Sequence, residues 1–321
     1  MLAEILTRAQ RYTVETNQNG NTNHLPMALV ALSEMGANHG QLEAYYAKYA
    51  HLLVARKSVT TTTHFEWEAH LGDKIAFEHY FNYFLRQVES EGIKGTLRIY
   101  LDRLMPGCGA SAFHAVIRLS YGVQVQNNTE VAFGLADLAS SYLPVSEPLP
   151  CTQNLREVLE SALSTYEGVN VQGGLISARM LSVVENPRFE SVNYAPHTLD
   201  IAQISELVAE LYLKSRDFTV LHAVTSCHAM RYLSDYFVQP ERSLRYYWAA
   251  LIAAVLSVEE LRLGSLPTIK LKPLSEMSFN GVLNSDDSHV IKLAWSCLDE
   301  FRHYQSEHHL KILTMLMEEY C

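Results

Sequence analysis

The sequence has few cysteines, and no two of them lie at a spacing that binds zinc. The 321 residues contain five cysteines, an odd number, and none belongs to a CxxC pair. This pattern argues against a zinc knuckle and a disulfide framework, and it is typical of buried thiols in a reducing compartment. The five residues are Cys108, Cys151, Cys227, Cys297 and Cys321.

Long hydrophobic runs are also lacking. The longest apolar stretch, residues 246–258, is too short to span a bilayer. The N-terminal residues include Glu4 and Arg8 and contain no signal-peptide core. We therefore expect a cytoplasmic protein with no membrane association.

Runs of basic residues are missing as well. The 25 lysines and arginines are outnumbered by 35 acidic residues, which gives a net charge of −10. We expect no nucleic-acid partner, because such a surface needs clustered positive charge. Hydrophobic residues make up 48% and charged residues 19%, a composition that is ordinary for globular proteins and argues against disorder.

The short motifs of several enzyme classes are absent. The sequence contains no P-loop, no Gly-x-Ser-x-Gly elbow and no His-Glu-x-x-His pair. Gly107-x-Gly109-x-x-Ala112 has the spacing of a dinucleotide fingerprint, but that fingerprint follows a β-strand, whereas a predicted helix and Pro106 precede it here. We therefore discount a dinucleotide site, although backbone donors at a helix start retain the capacity to hold an anion.

Helical periodicity, in contrast, extends over most of the chain. Helices are predicted near residues 2–16, 26–35, 40–54, 75–90, 93–104, 110–122, 129–142, 154–166, 199–214, 218–236, 243–261, 286–302 and 306–319. Residues 58–71 are predicted to be loop-like or extended, and residues 268–272 to be extended. We expect an all-α fold, a large bundle-like helical domain over residues 1–321. A proline-rich stretch marks the alternative, a division into halves 1–145 and 150–321.

Four histidines each lie in or beside an apolar helical run: His24, His114, His222 and His289. A single buried histidine is usually structural, with a backbone carbonyl as its partner. Four such histidines are harder to explain in this way, because each buried imidazole needs a polar partner. One metal ion can satisfy all four. We therefore predict that the fold brings these imidazoles together.

One helix offers two candidates for the third histidine. His222 and His228 are six positions apart, which separates them by about 120° around a helix, so they should not both point at one centre. The small polar neighbours Thr225 and Ser226 favour His222, and His228 remains the alternative. Three further histidines occur in a charged C-terminal pattern and are predicted to be solvated: His303, His308 and His309.

A lysine shares the helix face of the fourth histidine. His289 and Lys292 are three positions apart, so their side chains are neighbours on a helix. Beside a divalent cation the Lys292 amine would have to be deprotonated, and it could then be chemically modified. The alternative is a surface ion pair of Lys292 with one of three carboxylates: Asp286, Asp287 or Glu259.

Four blocks of the sequence carry a family resemblance. In order, they are Asn23-His24-Leu-Pro-Met27-Ala28-Leu29, Gly107-Cys-Gly109-Ala-Ser-Ala-Phe113-His114-Ala-Val-Ile117-Arg118-Leu-Ser-Tyr121, Leu221-His222-Ala-Val224-Thr225-Ser-Cys-His228-Ala229-Met-Arg231 and Asp287-Ser-His289-Val-Ile-Lys292-Leu293. Together these blocks resemble the recurring blocks of the questin oxidase-like family. The resemblance spans about residues 20–300.

The resemblance implies an all-helical oxidoreductase. Members of the family act in fungal polyketide pathways, where they oxidatively open rings of anthraquinone-type substrates, and they were first described as Baeyer–Villiger-type oxidases. Iron-dependent members bind a non-haem iron through four histidines and a carboxylated lysine. By motif, the ligands of Fe(II) in this chain would be His24, His114, His222, His289 and Lys292.

The expected reaction is the activation of O₂ to oxygenate or cleave an aromatic or quinone-like small molecule. Arg118 would hold a phenolate or a developing oxyanion and Tyr121 would donate a hydrogen bond to it, unless both residues are structural. The chain is compact beside the long fungal enzymes, so the substrate stays open, as does the oligomeric state. Two rival functions are a metal-free or NADPH-assisted Baeyer–Villiger oxidation and a non-catalytic, ligand-binding helical protein.

Overall fold

The computed structural model describes residues 1–16, 20–57, 59, 65–259 and 261–320. Within them the α-helices are α1 (Leu2–Ala9), α2 (Leu25–Glu34), α3 (His39–Ala50), α4 (Phe77–Leu104), α5 (His114–Gln124), α6 (Asn128–Ser140), α7 (Leu155–Tyr166), α8 (Ile176–Val184), α9 (Ile201–Ser215), α10 (Phe218–Leu233), α11 (Pro240–Leu256), α12 (Asn280–Leu283), α13 (Ser288–Tyr304) and α14 (Glu307–Glu319). The strands are β1 (Tyr12–Thr16), β2 (Leu53–Ala55), β3 (Leu149–Cys151) and β4 (Tyr194–Pro196). They form two two-stranded sheets, with β1 antiparallel to β2 and β3 parallel to β4. The all-α fold class is confirmed.

The described residues divide into two compact units. The terminal unit contains residues 1–58 and 265–321, and the central unit contains residues 59–264. These boundaries differ from the alternative halves 1–145 and 150–321, because the first unit is built from both ends of the chain. The single-domain organisation stays a prediction.

In the terminal unit, α2 is the buried helix. It begins directly after His24, with Pro26 in its first turn, where a missing N–H costs nothing. Every residue from Leu25 to Leu32 is buried, since α2 packs against α1, α3 and α13. This all-round burial holds His24 at the end of a rigid element.

In the central unit, α5 and α6 approach each other unusually closely. A Cβ atom on Gly134 would lie 2.5 Å from the Leu119 Cα atom, and one on Gly122 would lie 2.7 Å from the Val131 nitrogen. Only glycine permits backbones to approach to this distance. The α5 helix, which begins at His114, is therefore held close to α6 around Leu119 and Gly122.

Several predicted elements differ from the structure at their ends. The helix predicted over residues 2–16 ends at Ala9, and Tyr12–Thr16 forms β1 instead, because the aromatic and β-branched residues there suit a strand. The helix α8 (Ile176–Val184) was not predicted, and residues 268–272 form no strand within the described part of the chain. The break predicted between 75–90 and 93–104 is confirmed as an interruption of α4 at Gly92, where φ is +72°.

The burial of the cysteines and the lengths of the helices can also be compared with the sequence predictions. Cys108, Cys227 and Cys297 are buried free thiols, as predicted. Cys321, Ser58 and the threonines at 60–63 lie outside the described residues. In the part of the chain that is described, none of the helices has the length and apolar character required to traverse a membrane.

Candidate metal centre

His24 and His289 form a histidine pair in the terminal unit. His24 immediately precedes α2 and His289 is the second residue of α13, so both imidazoles lie at helix starts. Their ring centroids are 4.6 Å apart with an interplanar angle of 86°, and their ligand nitrogens lie within 4.8 Å of each other. Two nitrogens bound to one ion are at most about 4.2 Å apart, because each metal–nitrogen bond is about 2.1 Å. A sub-ångström adjustment would therefore let this pair share an ion.

An oxygen atom lies beside the Nδ1 atom of each imidazole in this pair. His24 Nδ1 lies 2.7 Å from Ser288 Oγ, and His289 Nδ1 lies 3.2 Å from Asp287 Oδ1. The Asp287 carboxylate also caps α13 through the His289 backbone N–H. The hydrogen bond from His289 lowers the pKa of Asp287, while burial lowers the pKa of His289. A carboxylate acceptor favours the Nδ1–H tautomer and leaves Nε2 with its lone pair.

Lys292 lies one helical turn beyond His289 and is only 1% exposed. Its Nζ atom has no hydrogen-bond partner among the residues that the structure describes. Burial lowers the pKa of Lys292 to about 7. The predicted surface ion pair is therefore wrong. The carboxylate of Asp286 instead pairs with Lys48, at 2.8 Å.

A second histidine pair, His114 and His222, lies in the central unit. His114 is the first residue of α5, His222 lies inside α10, and their ring centroids are 4.8 Å apart. His114 Nδ1 lies 2.5 Å from the Ser111 carbonyl oxygen, and His222 Nδ1 lies 2.7 Å from the Phe218 carbonyl oxygen. A carbonyl only accepts, so both Nδ1 atoms carry a proton, and in the neutral rings both Nε2 atoms keep a lone pair.

The alternative histidine of α10 has different neighbours. His228 is buried, and its ring packs against Tyr232 and Tyr121, with centroid distances of 5.2 and 6.4 Å. This geometry favours His222 as the partner of His114.

The turn that leads into His114 is unusual. Three successive residues, Ser111, Ala112 and Phe113, have φ angles of +50°, +54° and +68°. Residues with side chains visit this left-handed region at a cost of about 1–2 kcal/mol each, normally one at a time. The sequence predicted a regular helix from residue 110, and the apolar periodicity contained no sign of this strain.

The glycines before this turn serve packing. A Cβ atom on Gly107 would lie 2.1 Å from the Tyr142 ring, and one on Gly109 would lie 2.9 Å from Met180 Cε. The helix α4 precedes them, as expected, and Gly107 ends a short 3₁₀ turn that includes Pro106, so the described residues before the motif do not form the β-strand that a dinucleotide fingerprint requires.

Arg118 and Tyr121, the predicted substrate contacts, are both buried in α5. Arg118 Nε donates to Glu130 Oε2 at 2.8 Å, and the guanidinium stacks 4.0 Å from the centre of the Phe133 ring. Its other two nitrogens have no hydrogen-bond partner within the described residues. Arg118 thus connects α5 to α6, while its catalytic role and that of Tyr121 stay predictions.

The donor set suits a transition metal. Imidazole nitrogens are common ligands of iron, and the oxygen atoms beside Nδ1 are the outer contacts that orient such ligands. A buried amine with no hydrogen-bond partner among the described residues is costly, so Lys292 also calls for a ligand or a modification. Another buried imidazole was missed: His309, predicted to be solvated, is buried in α14.

Comparison with known proteins identifies the family. The family model described as questin oxidase-like matches residues 21–297. No curated protein of established function matched the chain. Since the family model covers most of the sequence, the chain belongs to the questin oxidase-like family, an assignment that points to an oxidoreductase.

Proposed function

We propose that this protein is an oxygenase that uses a mononuclear non-haem iron. In this proposal both histidine pairs bind the same ion: His24 and His289 from the terminal unit, and His114 and His222 from the central unit. The observation that carries the proposal is the shared arrangement of the four imidazoles, each with an oxygen atom beside Nδ1. With each ring in its neutral Nδ1–H tautomer, the four Nε2 atoms would be available as ligands.

Lys292 supplies the fifth ligand. Because burial lowers its pKa to about 7, a large fraction of its amine is neutral at physiological pH and has a lone pair for CO₂. Carboxylation forms an N–C bond and releases one proton, which leaves an anionic carbamate. A carbamate oxygen would offset part of the positive charge of the ion, whereas the imidazoles are neutral and would not.

Bound iron would supply the redox chemistry that activates O₂. The chain's own contribution to substrate binding comes from α5. Two guanidinium nitrogens of Arg118 have no hydrogen-bond partner in the described part of the chain, while Glu130 accepts from the third nitrogen. These donors suit a phenolate oxygen, and the Tyr121 hydroxyl would add a further hydrogen bond. The proposed substrate is an aromatic or quinone-like small molecule.

Metal analysis of tag-free protein tests this function. We expect one iron per chain, and O₂ uptake with an anthraquinone-type substrate that stops on chelation. Substrate-dependent NADPH consumption that survives chelation would instead favour the metal-free Baeyer–Villiger reaction. Absence of any stoichiometric transition metal would overturn the proposal.

A further inference from the structure

A buried carboxylate that the proposed ligand set does not use is hydrogen-bonded to the turn that leads into His114. Asp137 on α6 is 2% exposed. Its Oδ1 atom accepts hydrogen bonds from Ser111 Oγ at 3.0 Å and from Ser141 Oγ at 2.9 Å. A buried carboxylate is costly unless it is well hydrogen-bonded, so this one needs its hydroxyl donors.

One of those donors begins the strained turn. Ser111 is the first of the three successive residues with positive φ, and the turn they form leads directly into α5. A run of left-handed residues persists only when the surrounding structure holds it, and such strain is concentrated at functional sites. The hydrogen bond from Ser111 to Asp137 anchors this run to α6, which the glycine contacts keep close to α5.

The same serine also orients the imidazole. The Ser111 carbonyl oxygen lies 2.5 Å from His114 Nδ1, so this carbonyl determines which ring nitrogen carries the proton and where Nε2 points. His222 receives its carbonyl from a residue one turn earlier in its own helix and needs no comparable turn. A contact path therefore runs from Asp137 through Ser111 to His114.

We infer that Asp137 is a positioning residue that holds the turn 111–113 and, through the Ser111 carbonyl, fixes the tautomer and direction of the His114 imidazole. The inference rests on the proposed function only in taking His114 as a metal ligand.

The test uses full-length variants with ¹⁵N-labelled histidine. Asp137→Ala removes the acceptor, whereas Asp137→Asn keeps an oxygen that accepts both hydroxyls. Ser111→Ala removes only the donor and serves where Asp137→Ala does not fold. Its matched control is Ser120→Ala, since Ser120 is a buried serine of α5 whose hydroxyl bonds the Ile117 carbonyl at 2.8 Å, away from the turn.

Two-bond ¹⁵N–¹H correlation of chelated protein reports the tautomer of His114, assigned with His114→Gln. We expect a single Nδ1–H tautomer in the wild type, Asp137→Asn and Ser120→Ala, and a mixture in Asp137→Ala and Ser111→Ala. The Fe(II) dissociation constant should rise about 10–100-fold in the latter two variants only.

The inference and the proposed function fail separately. If Asp137→Ala, or Ser111→Ala in its place, keeps the wild-type tautomer while the wild type binds iron, the positioning role is overturned and the oxygenase proposal stands. If the wild type binds no metal but the tautomer still changes in these variants, the positioning role stands and the oxygenase proposal is overturned.

Discussion

The two histidine pairs rest on different kinds of support. In the terminal unit, the oxygens beside Nδ1 belong to the Ser288 and Asp287 side chains, and His289 is 24% exposed. In the central unit, both oxygens are backbone carbonyls and His222 is 1% exposed. One substitution removes side-chain support directly, whereas backbone support is lost only when the local backbone moves. Within the proposed ligand set, the terminal pair is therefore the adjustable pair and the central pair is the rigid pair.

We expect the largest loss of iron on substitution of His222 in the rigid pair. Comparison with His228→Ala then distinguishes the two histidines of α10. His222→Ala should abolish stoichiometric iron, because a buried site cannot replace a lost imidazole with solvent. His228→Ala should keep its iron, since His228 packs against tyrosine rings. Elemental analysis of both purified variants checks this. Iron lost from His228→Ala and kept in His222→Ala would reverse the assignment.

The equivalent substitution in the adjustable pair is His24→Ala, and His309 offers a matched control. Both histidines are buried, and each has Nδ1 at 2.7 Å from a serine hydroxyl. We expect iron loss in His24→Ala. In His309→Ala we expect only a lower unfolding free energy, by about 1–3 kcal/mol. Equal iron contents would remove His24 from the ligand set.

Lys292→Met extends the comparison of the two pairs, because Lys292 lies on α13 with His289 of the adjustable pair. We expect iron affinity to fall roughly 100-fold and to lose any dependence on bicarbonate. The control is Lys48→Met, at a lysine whose side chain is 62% exposed. Iron titrations with and without bicarbonate measure both effects. Unchanged affinity in Lys292→Met would exclude this residue as a ligand.

The unfolding free energy of the chelated protein should also depend on pH through Lys292. The folded-state pKa of Lys292 is about 7, below the ordinary 10.5, so between these values the unfolded chain binds a proton that the folded chain does not. Stability of the chelated wild type should therefore rise as the pH rises from 7 towards 10.5, and this contribution should vanish in Lys292→Met. Thermal melts at pH 7 and 9 measure the difference. If stability changes equally between pH 7 and 9 in both proteins, the Lys292 amine is exposed to solvent and its pKa is not lowered.

The smallest effect is expected at the carboxylate behind His289. Asp287→Asn keeps the helix cap but weakens the acceptor, so iron affinity should fall at most about 10-fold. The pKa of Asp287 is lowered, so its stabilising charge is present above pH ~4 and is lost as the pH falls below its folded-state pKa. At a half-exposed site this is worth less than about 1 kcal/mol.

Asp217→Asn is the control for that substitution. Asp217 caps α10 through the Thr219 and Val220 backbone N–H groups, as Asp287 caps α13. Iron affinity should be unchanged in Asp217→Asn when measured by the same titration. An equal loss of iron from both variants would assign the effect to the helix cap.

Much of the helical fold could be predicted because helical periodicity and helix-start residues are local signals. The starts predicted at residues 26 and 286, for example, lie within two residues of the observed starts of α2 at Leu25 and α13 at Ser288. The four histidines are identifiable for the same reason, since each lies in a distinct apolar run.

The rest depends on contacts that no local pattern encodes. The burial of Lys292 follows from the packing of α13 against α2 and α14, which periodicity alone does not measure. The left-handed turn at 111–113 contradicts residue preference, and its first residue, Ser111, donates a hydrogen bond to Asp137, which is 26 positions away in sequence. Strained backbone at a site is the feature that sequence reasoning is least able to find.

An anomalous-scattering map at the iron edge, from crystals of tag-free protein, tests the central claim most directly. We predict one peak per chain, at about 2.1 Å from an imidazole nitrogen of each of His24, His114, His222 and His289, with the Lys292 side chain also bound. No peak, or a separate peak beside each histidine pair, would contradict a single iron held by both.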